Sequence, residues 1–205
     1  MKDRSGQTLV ELIAAAFVLA VGLVGVLALT TANVRNQTIG TIRLTASQLA
    51  REGVELARNI RDTNWIQVKE WDEGLKGATP CAVIADTSDQ FHTQFRFVPC
   101  VDELYLDPFA IYRLDDRLVQ LQNPPPDAVK SEYYRKITLN PICLNKTEQE
   151  FINGNLDGIQ ESILQNTIGC GDKVQAGIQV TSEVGWRSGA GTQSTKIVEQ
   201  IYNWR

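Results

Sequence analysis

Gly6-Gln7-Thr8-Leu9-Val10-Glu11, leading into the apolar run from Leu12 to Leu29, is the stretch on which the fold turns. Ahead of it Met1-Lys2-Asp3-Arg4-Ser5 is short and hydrophilic, and Leu12–Leu29 holds 18 positions without a charge. As a helix that run rises about 27 Å, close to the roughly 30 Å hydrocarbon core of a bilayer. A helix over Thr8–Thr31 therefore spans a membrane. Three readings of such a segment differ in what they make of Glu11. A secretory signal has a shorter apolar core with small residues at its cleavage point, and Thr30-Thr31-Ala32 matches that pattern poorly. A plain single-pass anchor fits the length but leaves the carboxylate unexplained, since a charge costs about 2.5–3.5 kcal/mol at mid-bilayer and less near the edge.

The third reading accounts for the acid. Gly6-Gln7-Thr8-Leu9-Val10-Glu11 resembles the class III signal of type IV pilins and pseudopilins. The resemblance implies that a prepilin peptidase cuts Gly6–Gln7 on the cytoplasmic side and methylates the new terminus. Glu11 then stands fifth in the mature chain, where the family carries its glutamate, and pairs with the amino terminus of a neighbouring subunit. A charge in a low-dielectric place persists only when paired, so such a pairing favours assembly and sets register. Two departures stand out: Gln7 replaces the family's usual phenylalanine or methionine, and the helix lacks the proline common in major pilins, the first being Pro80. Gly22 and Gly25 are the only breakers, each weakening the helix by roughly 1 kcal/mol relative to Ala. The run Ala20–Leu27 is most similar to minor pilins of the pilus-modification type. The resemblance covers about 30 of the 205 residues.

Composition bounds the remainder. A chain of 205 residues accommodates a membrane helix and one small domain. Loss of residues 1–6 takes the formal charge from −4 to −5, which gives no reason to expect nucleic-acid binding. Lys2 and Arg4 before the apolar run balance Arg35 and Arg43 after it, so loop charge decides little about orientation. Four cysteines, Cys81, Cys100, Cys143 and Cys170, show no C-x-x-C spacing, and His92 is the one histidine. That disfavours zinc and favours disulfides in an oxidising exterior. Four cysteines allow three connectivities. Nearest-neighbour closure favours Cys81–Cys100 and Cys143–Cys170.

Beyond Leu29 the helical pattern continues with a different character. Leu49, Gly53, Leu56 and Ile60 fall at i, i+4, i+7 and i+11 on one face. Arg51, Glu55, Arg58 and Asp62 lie on other faces as a solvated surface, with Glu55/Arg58 and Arg58/Asp62 at pairing distance. One helix is expected over Thr8–Asp62, roughly 80 Å long. No acid occurs between Glu11 and Glu52, while Arg35, Arg43 and Arg51 punctuate the interval. These arginines serve either contacts with acidic loops of other subunits and lipid headgroups, or solubility alone. The organisation expected is leader 1–6, membrane or filament-core helix 7–32, amphipathic helix 33–63 and a β-rich domain 64–205.

Residues 63–100 read as a connecting region with one strand, Gln94–Val98. Strands are expected at Leu104–Leu114, Arg117–Gln122 and Ser131–Leu139, separated by Asp115-Asp116 and by Asn123–Asp127, whose triple proline is a turn or a stiff spacer. Two stronger ones close the chain, Val174–Trp186 and Thr195–Trp204, as a glycine-rich hairpin. In the first, Ala176, Ile178, Val180, Ser182, Val184 and Trp186 share a face; in the second, Ile197 does so with Glu199 and Ile201. An antiparallel sheet covering the Leu49/Leu56/Ile60 stripe makes an α+β fold, which is also the pilin-like arrangement.

Asn153, Asn155 and Asp157 alternate ahead of Gly158, resembling the front half of a calcium loop with the Ile159 carbonyl and Glu161 as further donors. Position twelve is Leu164, which supplies no carboxylate, and Asn-Gly and Asp-Gly also simply make turns. Asn36-Gln-Thr38 and Asn145-Lys-Thr147 are chance matches to a glycosylation signal. No cofactor is required by any motif. One histidine, no G-x-S-x-G and no phosphate loop argue against an enzyme. The chain is expected to be a structural subunit of a type IV pilus-like or type II secretion-like filament. It is stored in the cytoplasmic membrane with its bulk outside, and its partners are other pilin subunits, the prepilin peptidase and an assembly platform. The alternative is a single-pass, membrane-anchored extracellular binding module.

Overall fold

The computed structural model describes residues 5–76, 83–86, 94–97, 110–114, 117–119, 126, 128–165, 167, 169–188 and 191–203. The chain divides into two compact units, residues 1–44 and 45–205. Helix α1 (Ser5–Ile66) supplies all of the described part of the first and opens the second. It outruns the expected end at Asp62 by one turn. It stops with Val68 at φ 57°, where Val68 N–H reaches Trp65 O at 3.2 Å and Lys69 N–H reaches Asn64 O at 2.9 Å. That bond pattern is the Schellman stop, which normally places glycine where valine stands here. A stop without glycine is invisible to pattern reading.

In the second unit five antiparallel strands run in the order β4 (Arg117–Val119), β3 (Ala110–Leu114), β5 (Val129–Thr147), β7 (Lys173–Ser188) and β8 (Gly191–Tyr202). β6 (Glu161–Ile163) pairs with β5 on the side away from β7. β1 (Val83–Asp86) and β2 (Gln94–Phe97) form a separate hairpin. A short α2 (Glu148–Ile152) follows β5, opened by a capping box between Thr147 and Glu150. The sheet with helix α1 against one face is the α+β, pilin-like architecture.

Period-two burial explains the face that meets the helix. Ile178, Val180, Ser182, Val184 and Trp186 of β7 are buried, paired row by row with Pro141, Leu139, Ile137, Arg135 and Tyr133 of β5. On α1 the stripe Leu49, Gly53, Leu56 and Ile60 faces them, joined by Ala46, Ala50, Val54 and Ala57. Alanines carry little weight in a hydrophobic pattern, so Ala46, Ala50 and Ala57 leave little mark in the sequence. The core gathers Val54, Leu56, Ala57, Ile137, Leu139, Ile178, Val180 and Ile201.

Two expectations require correction. Residues 63–76 are not a passive connection: Trp65, Trp71 and Leu75 belong to the core, and buried Asn64 donates from Nδ2 to Trp71 O at 3.2 Å and Glu73 O at 2.8 Å. Ser131–Leu139 is only the front half of β5, which continues through Pro141. The Pro141 carbonyl accepts from Leu164 N–H at 3.1 Å, so its nitrogen faces the same edge. There β3 pairs no further than Tyr134 and β6 begins at Ile142. A missing N–H breaks no ladder bond at such a gap. Of Leu104–Leu114 and Arg117–Gln122, residues 104–109 and 120–122 lie outside the described residues.

Candidate functional site

In the first unit α1 is apolar all round from Leu12 to Leu29. Leu9, Val10, Leu12, Ile13, Phe17, Leu23 and Leu29 are all exposed by more than half. A helix without a polar face is stable only in lipid or among other helices. It is long and apolar enough to cross a membrane. Its hydroxyls are satisfied internally: Thr30 Oγ1 donates to Val26 O at 2.8 Å and Thr31 Oγ1 to Leu27 O at 2.9 Å. Thr38 and Thr41 do the same about two and three turns on. Gly6 and Gln7 lie in the first turn of α1, and Glu11 stands exposed among Leu9, Val10, Leu12 and Ile13. No cationic side chain sits three or four positions from Glu11 on the helix.

In the second unit the helix is clamped to the sheet. A Cβ placed on Gly53 would stand 2.5 Å from Ser182 Oγ and 2.9 Å from Ile137 Cδ1, so only glycine admits this approach. The Ser182 hydroxyl is fully buried with no hydrogen-bond partner among the described residues. Arg135, 3% exposed, donates from Nη1 to Leu49 O at 3.1 Å and to Glu52 Oε2 at 2.9 Å. Burial lowers its pKa and Glu52 works against that; a guanidinium stays charged regardless. The strand alternation Tyr133-Arg135-Ile137-Leu139 is the sequence signal that places Arg135 on the inner face.

At the far end Arg58 pairs with Glu55 at 2.9 Å, as the spacing indicates, and with Glu199 of β8. The expected Arg58/Asp62 pair is not formed. Asp62 is taken by Arg61 at 2.9 Å, whose guanidinium also lies 4.7 Å over Trp65. Glu199 draws Arg58 away because it projects from the helix-facing side of β8, alongside Ile197 and Ile201.

Cys143 and Cys170 form a disulfide, with Cα atoms 5.5 Å apart. Cys81 and Cys100 lie outside the described residues. In the loop closed by that bridge, Asn153 caps α2 and its Oδ1 accepts from Gln149 Nε2 at 3.3 Å. Gly154 and Gly158 take positive φ. The Glu161 carboxylate accepts from the Tyr202 hydroxyl at 3.0 Å, which together with burial raises the tyrosine's pKa. Asn155, Asp157 and Ile159 are exposed between them. The two end members of the candidate calcium set are thus turned to protein partners. Among the described residues no three His, Cys, Asp or Glu side chains gather where they could hold a metal. Asn145, expected only as a chance sequon, ties the two ends of this loop together. Its Nδ2 donates to Gly158 O and its Oδ1 accepts from Gln160 N–H, both at 2.9 Å.

Residues 1–27 match the prokaryotic N-terminal methylation motif. No curated protein and no solved structure matches the chain. The chain thus carries the processing signal of a type IV pilin-like precursor, continuous with an exposed apolar helix that ends on a disulfide-bearing α+β domain. Such a motif implies, in general, processing by a prepilin peptidase and association with other pilin subunits.

Proposed function

We propose that this chain is a minor pilin or pseudopilin, most similar to the pilus-modification type. Its N-terminal helix stores it in the cytoplasmic membrane with the sheet domain outside, and an assembly platform then draws it into a thin fibre. Its role is structural, not catalytic. One observation carries the reading: the methylation motif at residues 1–27 opens a helix whose apolar side chains are exposed on every face around the single carboxylate of Glu11. Gly6 is the residue the peptidase recognises, Gln7 the processed terminus and Glu11 the assembly contact. The bridge Cys143–Cys170 suits an oxidising exterior. The reading requires a mature chain that begins at Gln7, which mass spectrometry decides against the anchored-module alternative.

The Asn153–Glu161 loop is assigned to turn formation. Millimolar calcium is expected to leave the melting temperature of the detergent-solubilised protein unchanged. A rise of several degrees that EDTA reverses would assign the loop to the ion instead.

A further inference from the structure

The loop between β5 and β7 presents large apolar side chains to solvent: Phe151 is 45% exposed, Ile152 76%, Leu156 53% and Ile159 38%. Exposed apolar residues scattered singly need no explanation, but a cluster on one short segment marks an interaction surface. The segment is held in shape by the Cys143–Cys170 bridge, the Thr147–Glu150 cap and the Asn145 bonds to Gly158 and Gln160. Its charge is one-sided. Between Lys146 and Lys173 stand Glu148, Glu150, Asp157, Glu161 and Asp172, with no lysine or arginine. Glu150 and Glu161 are engaged with Thr147 and Tyr202, whereas Glu148 and Asp157 are exposed.

The complementary pattern occurs on α1. Arg35, Ile39 and Arg43 follow at i, i+4 and i+8, which aligns them on one helix face over about 12 Å. All three are exposed, and no acid lies on the helix between Glu11 and Glu52. One surface is an apolar side chain between two cations; the other is a short segment of exposed apolar side chains interspersed with carboxylates. We propose that the 148–161 loop of one copy docks on the Arg35–Ile39–Arg43 line of a second copy. Ile39 is covered by Phe151, Ile152 and Leu156, and the arginines meet Glu148 and Asp157. Opposite charges of this kind select partner and register, and an acidic loop is repelled by anionic lipid headgroups. Because the two surfaces are different, the contact is heterologous and repeats head to tail. That repeat suits the filament reading, on which the proposal rests.

The test uses the full chain in its native host, reading the mature chain recovered in fibres sheared from cells. Arg35→Glu with Arg43→Glu, and separately Glu148→Lys with Asp157→Lys, are each expected to lower recovery at least tenfold, leaving cleavage intact. All four changes together are expected to restore recovery to within about threefold. Copies carrying Ile39→Cys, co-expressed with copies carrying Leu156→Cys, are expected to cross-link within the fibre on mild oxidation. Unchanged recovery for either reversal, or no rescue in the combination, overturns the contact. Loss with the helix reversal alone overturns it too, and gives the arginines to lipid headgroups. If the unaltered chain is absent from sheared fibres, the filament reading itself fails; if it is present while the reversals are silent, only this contact does.

Discussion

Replacing Glu11 with alanine is expected to leave the chain cut, folded and membrane-bound, yet to lower its presence in sheared fibres more than tenfold. Glu11 lies in the first of the two units and is not among the core residues of the second. In lipid the change should even ease residence, since the carboxylate is a liability there. What disappears is the one charge in the Leu9–Leu29 run, and with it the group proposed to pair with another subunit's amino terminus. Two opposite charges brought together in a medium drier than water attract by several kcal/mol, and each 1.4 kcal/mol is a factor of ten. Glu11→Gln keeps size and hydrogen bonding but not charge, so it should fail almost as completely, while Glu11→Asp retains partial assembly. Wild-type recovery of Glu11→Ala in fibres, with cleavage normal, would contradict the pairing.

Gly53→Val is expected to destabilise the sheet domain by about 3 kcal/mol, an overpacking effect at the upper end of its usual range. For a domain of this size that lowers the melting temperature of the detergent-solubilised chain by roughly 10 °C. The Cβ at position 53 meets Ser182 Oγ, Ser182 Cβ and Ile137 Cδ1, of which only the isoleucine tip yields readily. Gly53→Ala is milder: alanine improves helix propensity by about 1 kcal/mol, against an overpacking penalty that leaves a net loss of about 1 kcal/mol. Ser182→Ala alone should be neutral or stabilising, because it removes a buried hydroxyl that has no hydrogen-bond partner among the described residues. Combined with Gly53→Ala it clears the 2.5 Å contact, so the double variant should match or exceed the unaltered protein. A stability loss that simply adds across the two substitutions would show that the close approach at Gly53 is not what matters.

The parts of this molecule legible in sequence are those where a residue type contradicts its surroundings or keeps a strict period. Glu11 contradicts its apolar run, and Ile178 to Trp186 keeps period two, so the N-terminal helix and the closing hairpin both announce themselves. Gly53 was read correctly as a member of the buried stripe, but its reason, room for Ser182, exists only once β7 is in place. Trp65, Trp71 and Leu75 were read as linker because their return to the core depends on Asn64 bonding backbone carbonyls seven and nine residues on. β5 was cut short because Pro141 ordinarily ends a strand, and the gap that accommodates it is a property of the neighbouring strands. Arg58 chose Glu199 over Asp62 through a contact 141 residues away. Partners distant in the chain leave no local mark.

The mass of the mature amino terminus tests the central claim most directly. The protein is recovered from native cells, both from membranes and from the sheared surface fraction, and its N-terminal peptide is sequenced by mass spectrometry. The expected result is a chain that begins at Gln7, with or without one methyl group, and that reverts to Met1 in cells lacking the prepilin peptidase. An intact Met1 in cells that process other substrates of that peptidase would contradict the account, leaving a domain tethered outside the membrane by an uncut helix.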